Sequence, residues 1–215
     1  MGALGSEDMT LTGSLELVNW RRRMGDAYRE SSLEAWRAAR DRLFGSHPQS
    51  PIPAARRAAF QGLRWFAPDP AYRVQAALEA SDPSPLEIDT GGEDGMVRYR
   101  RVGRLRFQLH GRDFGLTVLS LQGYGGGLFL PFRDATSGRE TYGGGRYLFD
   151  TIKNTDAGCL DFELGSGVVT IDFNYAYHPS CHYNPRWACP LAPPENRLDV
   201  SVRAGELSYP AEEVL

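Results

Sequence analysis

The densest gathering of reactive side chains lies between Pro131 and Tyr147, which reads PFRDATSGRETYGGGRY. Arg133, Asp134, Arg139, Glu140 and Arg146 crowd around two glycine turns there. Two carboxylates among three guanidiniums can form bidentate pairs that stiffen a loop. The same set can leave one carboxylate free for proton transfer, or one arginine free to hold an anion. Glu140 and Asp134 are the candidate acid–base groups, and Tyr142 is placed to stabilise developing charge. The run Gly143-Gly144-Gly145 is not a phosphate loop. No Lys-Ser/Thr follows it, and the next segment reads as a strand.

A second concentration runs from Asp172 to Arg197, DFNYAYHPSCHYNPRWACPLAPPENR. Asp172 and Asn174 alternate with Ile171 and Phe173, so the polar pair meets either solvent or a cavity. The stretch after Tyr177 holds five prolines, two cysteines, two histidines and a tryptophan. Such a composition predicts a rigid lid over one end of the fold rather than a loose connector. Zinc accepts ligands of the types His178, Cys181, His182 and Cys189, but their spacing matches no known finger, and no metal site is assigned. The two cysteines can pack as small apolar groups or join as a local disulfide. Alternatively, one serves as a nucleophile with His182 as its base.

These segments need elements to hold them. A helical pattern begins near Ser14, a plausible N-cap, and Leu17, Trp20, Met24 and Tyr28 share one face. Ser31 and Glu34 have capping-box spacing ahead of a second helix that carries Trp36, Ala39 and Leu43. Gly45 and Pro48 end it. Arg56 to Trp65 reads as a short helix or turn. Tyr72 to Leu78 reads almost equally as strand or helix. Period two takes over after Pro85. Leu105, Phe107 and Leu109 lead through a turn at Gly111 into Phe114, Leu116 and Val118, a hairpin signal. Further alternation appears at 128–132, 147–149, 160–164, 169–177 and 198–202. About eight short strands without a strand–helix–strand rhythm exclude a parallel nucleotide-binding sheet. The expected fold is α+β: N-terminal helices packed on an antiparallel β barrel or two-sheet sandwich. The expected organisation is a mobile stretch 1–13, then one domain, 14–215. Within it 14–80 is mainly helical, and 85–205 is the β core with its Pro-rich lid at 178–197.

The chain has 215 residues and a formal net charge of −3. That balance gives no general pull toward nucleic acid or an anionic membrane. The cluster Arg98, Arg100, Arg101, Arg104 and Arg106 has only Tyr99 among it, so it reads as a solvated sheet face. No stretch approaches the length of a bilayer span, and the first residues lack a secretory pattern. The chain is expected to be cytoplasmic. Three cysteines are too few for a disulfide scaffold. The Trp and Met stripe of the first helix could cover the chain's own sheet or pair with a second copy as a homodimer.

The words PFRDATSGRETYGGGRYL (131–148) and IDFNYAYHPSCHYNPRWACPLAPPENRL (171–198) resemble the bacterial and archaeal domain-of-unknown-function family 1684. Weaker similarity falls at Trp36, around Pro51 and in GLRWFAPDPAYRV (62–74), so the likeness spans most of the chain after about residue 14. The resemblance implies no activity, because the family is named for lacking one. It does stress Asp134, Thr136, Glu140, Tyr142, Arg146, Asn174, Tyr177, Asn184, Glu195, Asn196 and Arg197, while the lid histidines stand outside it. The expected site is a polar pocket between the β core and the lid that takes a small polar or anionic molecule. Arg133, Arg146 and Arg197 would supply charge. Asp134, Glu140 and Glu195 would orient them, and Asn174, Tyr177, Asn184, Arg186 and Asn196 would complete the lining. No cofactor is implied. The rival readings are a hydrolase with Glu140 as general acid or base in the same pocket, and a structural or interaction module.

Overall fold

Residues 10–91, 95–123 and 125–210 are described by the structure, a computed structural model. Residues 1–9 of the stretch expected to be mobile lie outside the described residues, and Leu11 to Gly13 already belong to the first helix. Helix α1 (Leu11–Ala27) starts ahead of Ser14 because Thr10 caps it, its hydroxyl accepting the Gly13 N–H at 3.0 Å. Helix α2 (Leu33–Ser46) is capped by Ser32, one residue beyond the predicted Ser31, through an Ala35 N–H bond of 3.1 Å. The stripes then meet: Trp20 packs on Phe44 at 5.6 Å between ring centroids, and Tyr28 on Trp36 at 5.3 Å. The segment 56–65 contributes only the end of a one-turn helix, α3 (Ala54–Arg57), and an extended run after it.

Eight strands follow, β1 (Arg73–Glu79), β2 (Ser84–Asp89), β3 (Met96–Leu109), β4 (Arg112–Leu121), β5 (Leu128–Phe132), β6 (Arg146–Asp150), β7 (Leu160–Phe162) and β8 (Val168–Asp172). They form one antiparallel sheet in the order β6-β5-β4-β3-β1-β8-β7, with β2 added on β3, curled nearly into a barrel. The 72–78 ambiguity resolves as strand, since β1 pairs with both β3 and β8. The predicted hairpin sets Leu105 opposite Leu116 and Phe107 opposite Phe114. His110 and Gly111 make its two-residue turn, both at positive φ (52° and 73°), the geometry that matches strand twist. Three of the five clustered arginines are paired locally: Arg98 with Glu87, Arg106 with Glu79, and Arg101 with Glu195.

Two predicted strands are different. The alternating run 169–177 leaves the sheet at Asp172, whose carboxylate accepts the Asn174 N–H at 2.9 Å and turns Phe173–Tyr175 into a 3-10 helix. The run 198–202 forms no strand. It lies beside Arg133–Ala135 through isolated bonds, Leu198 N–H to Arg133 O at 2.8 Å and Ala135 N–H to Val200 O at 3.0 Å. The eighth strand is β2 instead.

The chain then turns back under the lid at Gly205 (φ +77°), where an added Cβ would stand 2.5 Å from the Ala176 carbonyl. Gly205→Ala should lose about 1–2 kcal/mol from the left-handed backbone alone. Urea unfolding would measure this, and an unchanged midpoint would contradict it.

Candidate functional site

The two reactive segments meet. The Arg133 N–H donates to the Asn196 carbonyl at 2.9 Å, and Tyr147 and Tyr177 exchange backbone bonds of 2.8 and 3.0 Å. The Tyr142 N–H donates to His178 Nε2 at 3.2 Å, and the Tyr147 hydroxyl donates to the Pro190 carbonyl at 2.7 Å.

Most of the polar groups at this junction spend their capacity on one another. Asp134 is fully buried and accepts from the Thr136 hydroxyl at 2.9 Å, from the Val202 N–H at 2.6 Å and from Arg146 at 3.4 Å. Arg146 also donates to the carbonyls of Val202 and Ala204. Burial lowers its pKa, while Asp134 beside it opposes that. The Asn196 amide bridges Thr117 N–H (2.7 Å), Thr117 O (2.9 Å) and Pro131 O (2.9 Å). Asn174 does the same for the backbone of Asp69. These groups act as internal cross-braces, because a buried polar atom without a partner costs about 1–3 kcal/mol.

The remaining predicted residues lie nearer the surface. Glu140 pairs with Arg203 at 3.2 Å, and Glu195 with Arg101 at 2.7 Å. Arg133 Nε points to the Gly144 carbonyl at 3.4 Å, and Arg197 is exposed. The Asn184 side chain accepts the Arg186 N–H at 3.0 Å, and Arg186 stacks on Trp187. Burial, then Cys181, pushes the Tyr142 phenol up to about 12.

The cavity beside the lid opens elsewhere. A space of about 120 Å³ lies between α1, α2, the Tyr147–Lys153 region and two stretches of lid, Tyr177–Ser180 and Trp187–Pro190. Of the predicted site residues only Tyr177 lines it. Its walls are apolar at Trp20, Met24 and Phe44, and its charges are Arg21, Arg40 and Lys153, with no carboxylate in the lining. Arg21 has no ion-pair partner among the described residues. Lys153 is half-exposed and reaches Asp150 at 3.1 Å, and that carboxylate holds its pKa up.

Beneath the cavity Arg40 is almost completely buried, stacked near Trp36, Phe44 and Tyr177, and donates to Glu206 at 3.2 Å. Glu206 in turn accepts from the Tyr183 hydroxyl and from the His178 N–H, the latter at 3.0 Å. Burial raises the Glu206 pKa, and Arg40 opposes the rise. His178 is neutral, its pKa pushed far down by burial and then by His182. Because its Nε2 accepts the Tyr142 N–H, the ring proton sits on Nδ1. That Nδ1, Arg40 Nε and Trp187 Nε1 are buried with no hydrogen-bond partner. All three belong to residues of the lining.

Cys189 lines the cavity as well, and Cys181 Sγ stands 3.9 Å from the Tyr142 hydroxyl. Both cysteines are free, so the local disulfide is not formed. Among the described residues no three of His, Cys, Asp and Glu gather in a way that could hold a metal ion. No helix among the described residues is long and apolar enough to cross a membrane.

Sequence reasoning passed over Arg40 and Glu206. Arg40 did leave a signal, an arginine inside the apolar stripe of α2, midway between Trp36 and Phe44. Glu206 left none, since it follows the last patterned residue.

Comparison with known proteins agrees with this architecture. No curated protein matches the chain. The solution NMR structure of an uncharacterized protein from gene locus rrnAC0354 of Haloarcula marismortui is similar at 36% identity. The match covers 90% of this chain and 97% of that one, with a TM-score of 0.60. The family described as "Protein of unknown function (DUF1684)" matches residues 58–207. That span contains both reactive segments and the whole sheet, and the chain therefore belongs to the DUF1684 family.

Proposed function

We propose that the chain binds a small anion with a short apolar part in the cavity between α1, α2 and the lid. The observation that carries this reading is a lining of unsatisfied donors. Arg40 Nε, His178 Nδ1 and Trp187 Nε1 are buried without a hydrogen-bond partner, His178 Nδ1 standing 4.0 Å from Glu206 Oε2, and no carboxylate stands among the lining residues. Buried donors are normally satisfied, so a set of them around one space calls for an acceptor-rich occupant. Arg21 and Lys153 add positive charge. Trp20, Met24 and Phe44 supply an apolar wall, the usual composition of a small-molecule site.

Size narrows the ligand. About 120 Å³ is somewhat less than the roughly 150 Å³ that accommodates benzene, so the enclosed part of the ligand has about six heavy atoms or fewer. A short-chain carboxylate such as butyrate fits, and so does inorganic phosphate.

Thermal unfolding with butyrate, phosphate and the neutral isostere butyramide tests the reading. At 100 times the dissociation constant, a true ligand adds about 2.7 kcal/mol. Arg21→Gln and Lys153→Gln should each weaken anion binding about fivefold, equivalent to the ~1 kcal/mol of a partly exposed charge contact. Stabilisation by butyramide equal to that by butyrate, or by neither anion, would overturn the proposal.

A further inference from the structure

The three cysteines are all free, and they sit in three different surroundings. Cys189 is buried and belongs to the wall of the cavity. Cys181 is half-buried and stands outside the lining, its thiol donating to the Tyr142 hydroxyl at 3.9 Å. Cys159 is buried and also outside the lining, its thiol donating to the Asp156 carbonyl at 3.1 Å. Burial normally makes a cysteine inert. A buried cysteine in the wall of a cavity is different, because whatever fills the cavity meets it. The same wall calls for an occupant. Arg40 and His178 are more than nine-tenths buried, and Arg40 Nε and His178 Nδ1 have no hydrogen-bond partner. Trp187 Nε1, two residues before Cys189, has none either. Arg21 and Lys153 add positive charge. Donors of this kind suit a carboxylate. In about 120 Å³ the short chain attached to that carboxylate has no wall far from it.

We infer that Cys189 is a covalent attachment point for short carboxylates that carry an electrophilic carbon, the cavity donors seating the carboxylate while the sulfur attacks the carbon beside it. This inference rests on the anion site proposed above and adds a bond-forming step to it. With a 2-haloacid the Cys189 sulfur attacks the carbon next to the carboxylate. A C–S bond forms, the carbon–halogen bond breaks, and the halide leaves with the bonding pair. The thiol proton passes to solvent. The product is a thioether, and no oxidant or reductant is consumed. Seating gives the reaction its preference, since a held reactant meets the sulfur at a far higher effective concentration than a free one. A neutral analogue of the same shape has no carboxylate to seat and loses that advantage.

The test exposes the full, reduced chain under native conditions to iodoacetate and, in parallel, to its neutral isostere iodoacetamide. Peptide mapping over time reads the rate at each cysteine. Iodoacetate has one heavy atom fewer than butyrate, so it meets the size limit of the cavity. The ratio of the iodoacetate rate to the iodoacetamide rate should be at least about fivefold higher at Cys189 than at Cys181, the factor that one partly exposed charge contact of ~1 kcal/mol provides. Lys153→Gln should take about that factor from the iodoacetate rate at Cys189. Saturating butyrate should slow carboxymethylation of Cys189 and leave that of Cys181 as it was. Cys159 gauges opening of the whole fold, because it is buried without lining the cavity, and it should stay unmodified while Cys189 reacts. The same charge preference at Cys189 and Cys181, or Cys159 reacting in step with Cys189, overturns the inference. Butyrate that stabilises the fold without protecting Cys189 overturns it and leaves the anion site standing. Butyrate that does neither removes both.

Discussion

Glu206→Gln is expected to lower the unfolding free energy by about 3–5 kcal/mol, the cost of leaving one partner of a buried ion pair alone. The glutamine keeps the size of the side chain, so little of the loss comes from packing. What changes is the charge facing Arg40, whose guanidinium sits almost wholly inside the protein 3.2 Å from the carboxylate. The carboxylate also gathers the Tyr183 hydroxyl and the His178 N–H, so one residue ties α2 to the lid. Replacing both partners, as in Arg40→Met with Glu206→Gln, removes the stranded charge and should recover a large part of the loss. Denaturant unfolding of the four-member cycle measures the coupling directly. A single-variant loss below about 1 kcal/mol would mean that the pair behaves like an exposed one.

Acidification from pH 7 to 5 should also destabilise the fold, by about 2 kcal/mol from His182 alone, given its folded pKa of about 4 against about 6.5 unfolded. The sign follows from proton uptake. A histidine held below its unfolded pKa binds fewer protons when folded, so its stabilisation is complete above about 6.5 and drains away as the pH falls. The cause is burial, and the geometry explains why a proton is unwelcome. His182 Nε2 accepts the Tyr209 N–H at 2.9 Å, His178 Nε2 the Tyr142 N–H at 3.2 Å, and His47 Nδ1 the Gln49 N–H at 3.1 Å. Protonation would break each bond, and the rings of His178 and His182 lie 4.4 Å apart, so two imidazoliums would also repel. Burial shifts His178 and His47 the same way. The half-buried carboxyls of Asp41 and Asp156 and the buried one of Glu206 are shifted up and act in the opposite sense as acid is added, which is why the window closes at pH 5. His182→Gln should flatten the slope between pH 6.5 and 5. An identical slope in the variant would remove His182 from the account.

The parts of this fold that were legible in the sequence are those set by short-range periodicity. Leu105, Phe107 and Leu109 against Phe114, Leu116 and Val118 placed a hairpin, because alternation and a tight turn are local facts. The stripe from Leu17 to Tyr28 placed a helix for the same reason. Periodicity misled where a side chain intervened. Asp172 captures the Asn174 N–H and ends β8 inside a run that alternates to Tyr177. The 198–202 run alternates without a partner strand because Arg133–Ala135 meets it only in isolated bonds.

The site was legible in a different way. The segments 131–147 and 172–197 touch in the fold, but polar richness does not distinguish a brace from a ligand contact. Asp134, Arg146, Asn174 and Asn196 find their partners within the chain. The unsatisfied donors come instead from Arg40 on a helix read as core, and from His178 and Trp187. Whether a donor has an acceptor depends on residues far away along the chain, and no local pattern carries that information.

The indole N–H resonance of Trp187 in a two-dimensional ¹H–¹⁵N spectrum reports directly on one of those donors. Titration with butyrate should move it along a saturable curve, with Lys153→Gln shifting the curve to higher concentration and butyramide leaving the peak in place. A Trp187 resonance that ignores butyrate and phosphate, or that follows the neutral amide equally, would contradict an anion seated in the cavity.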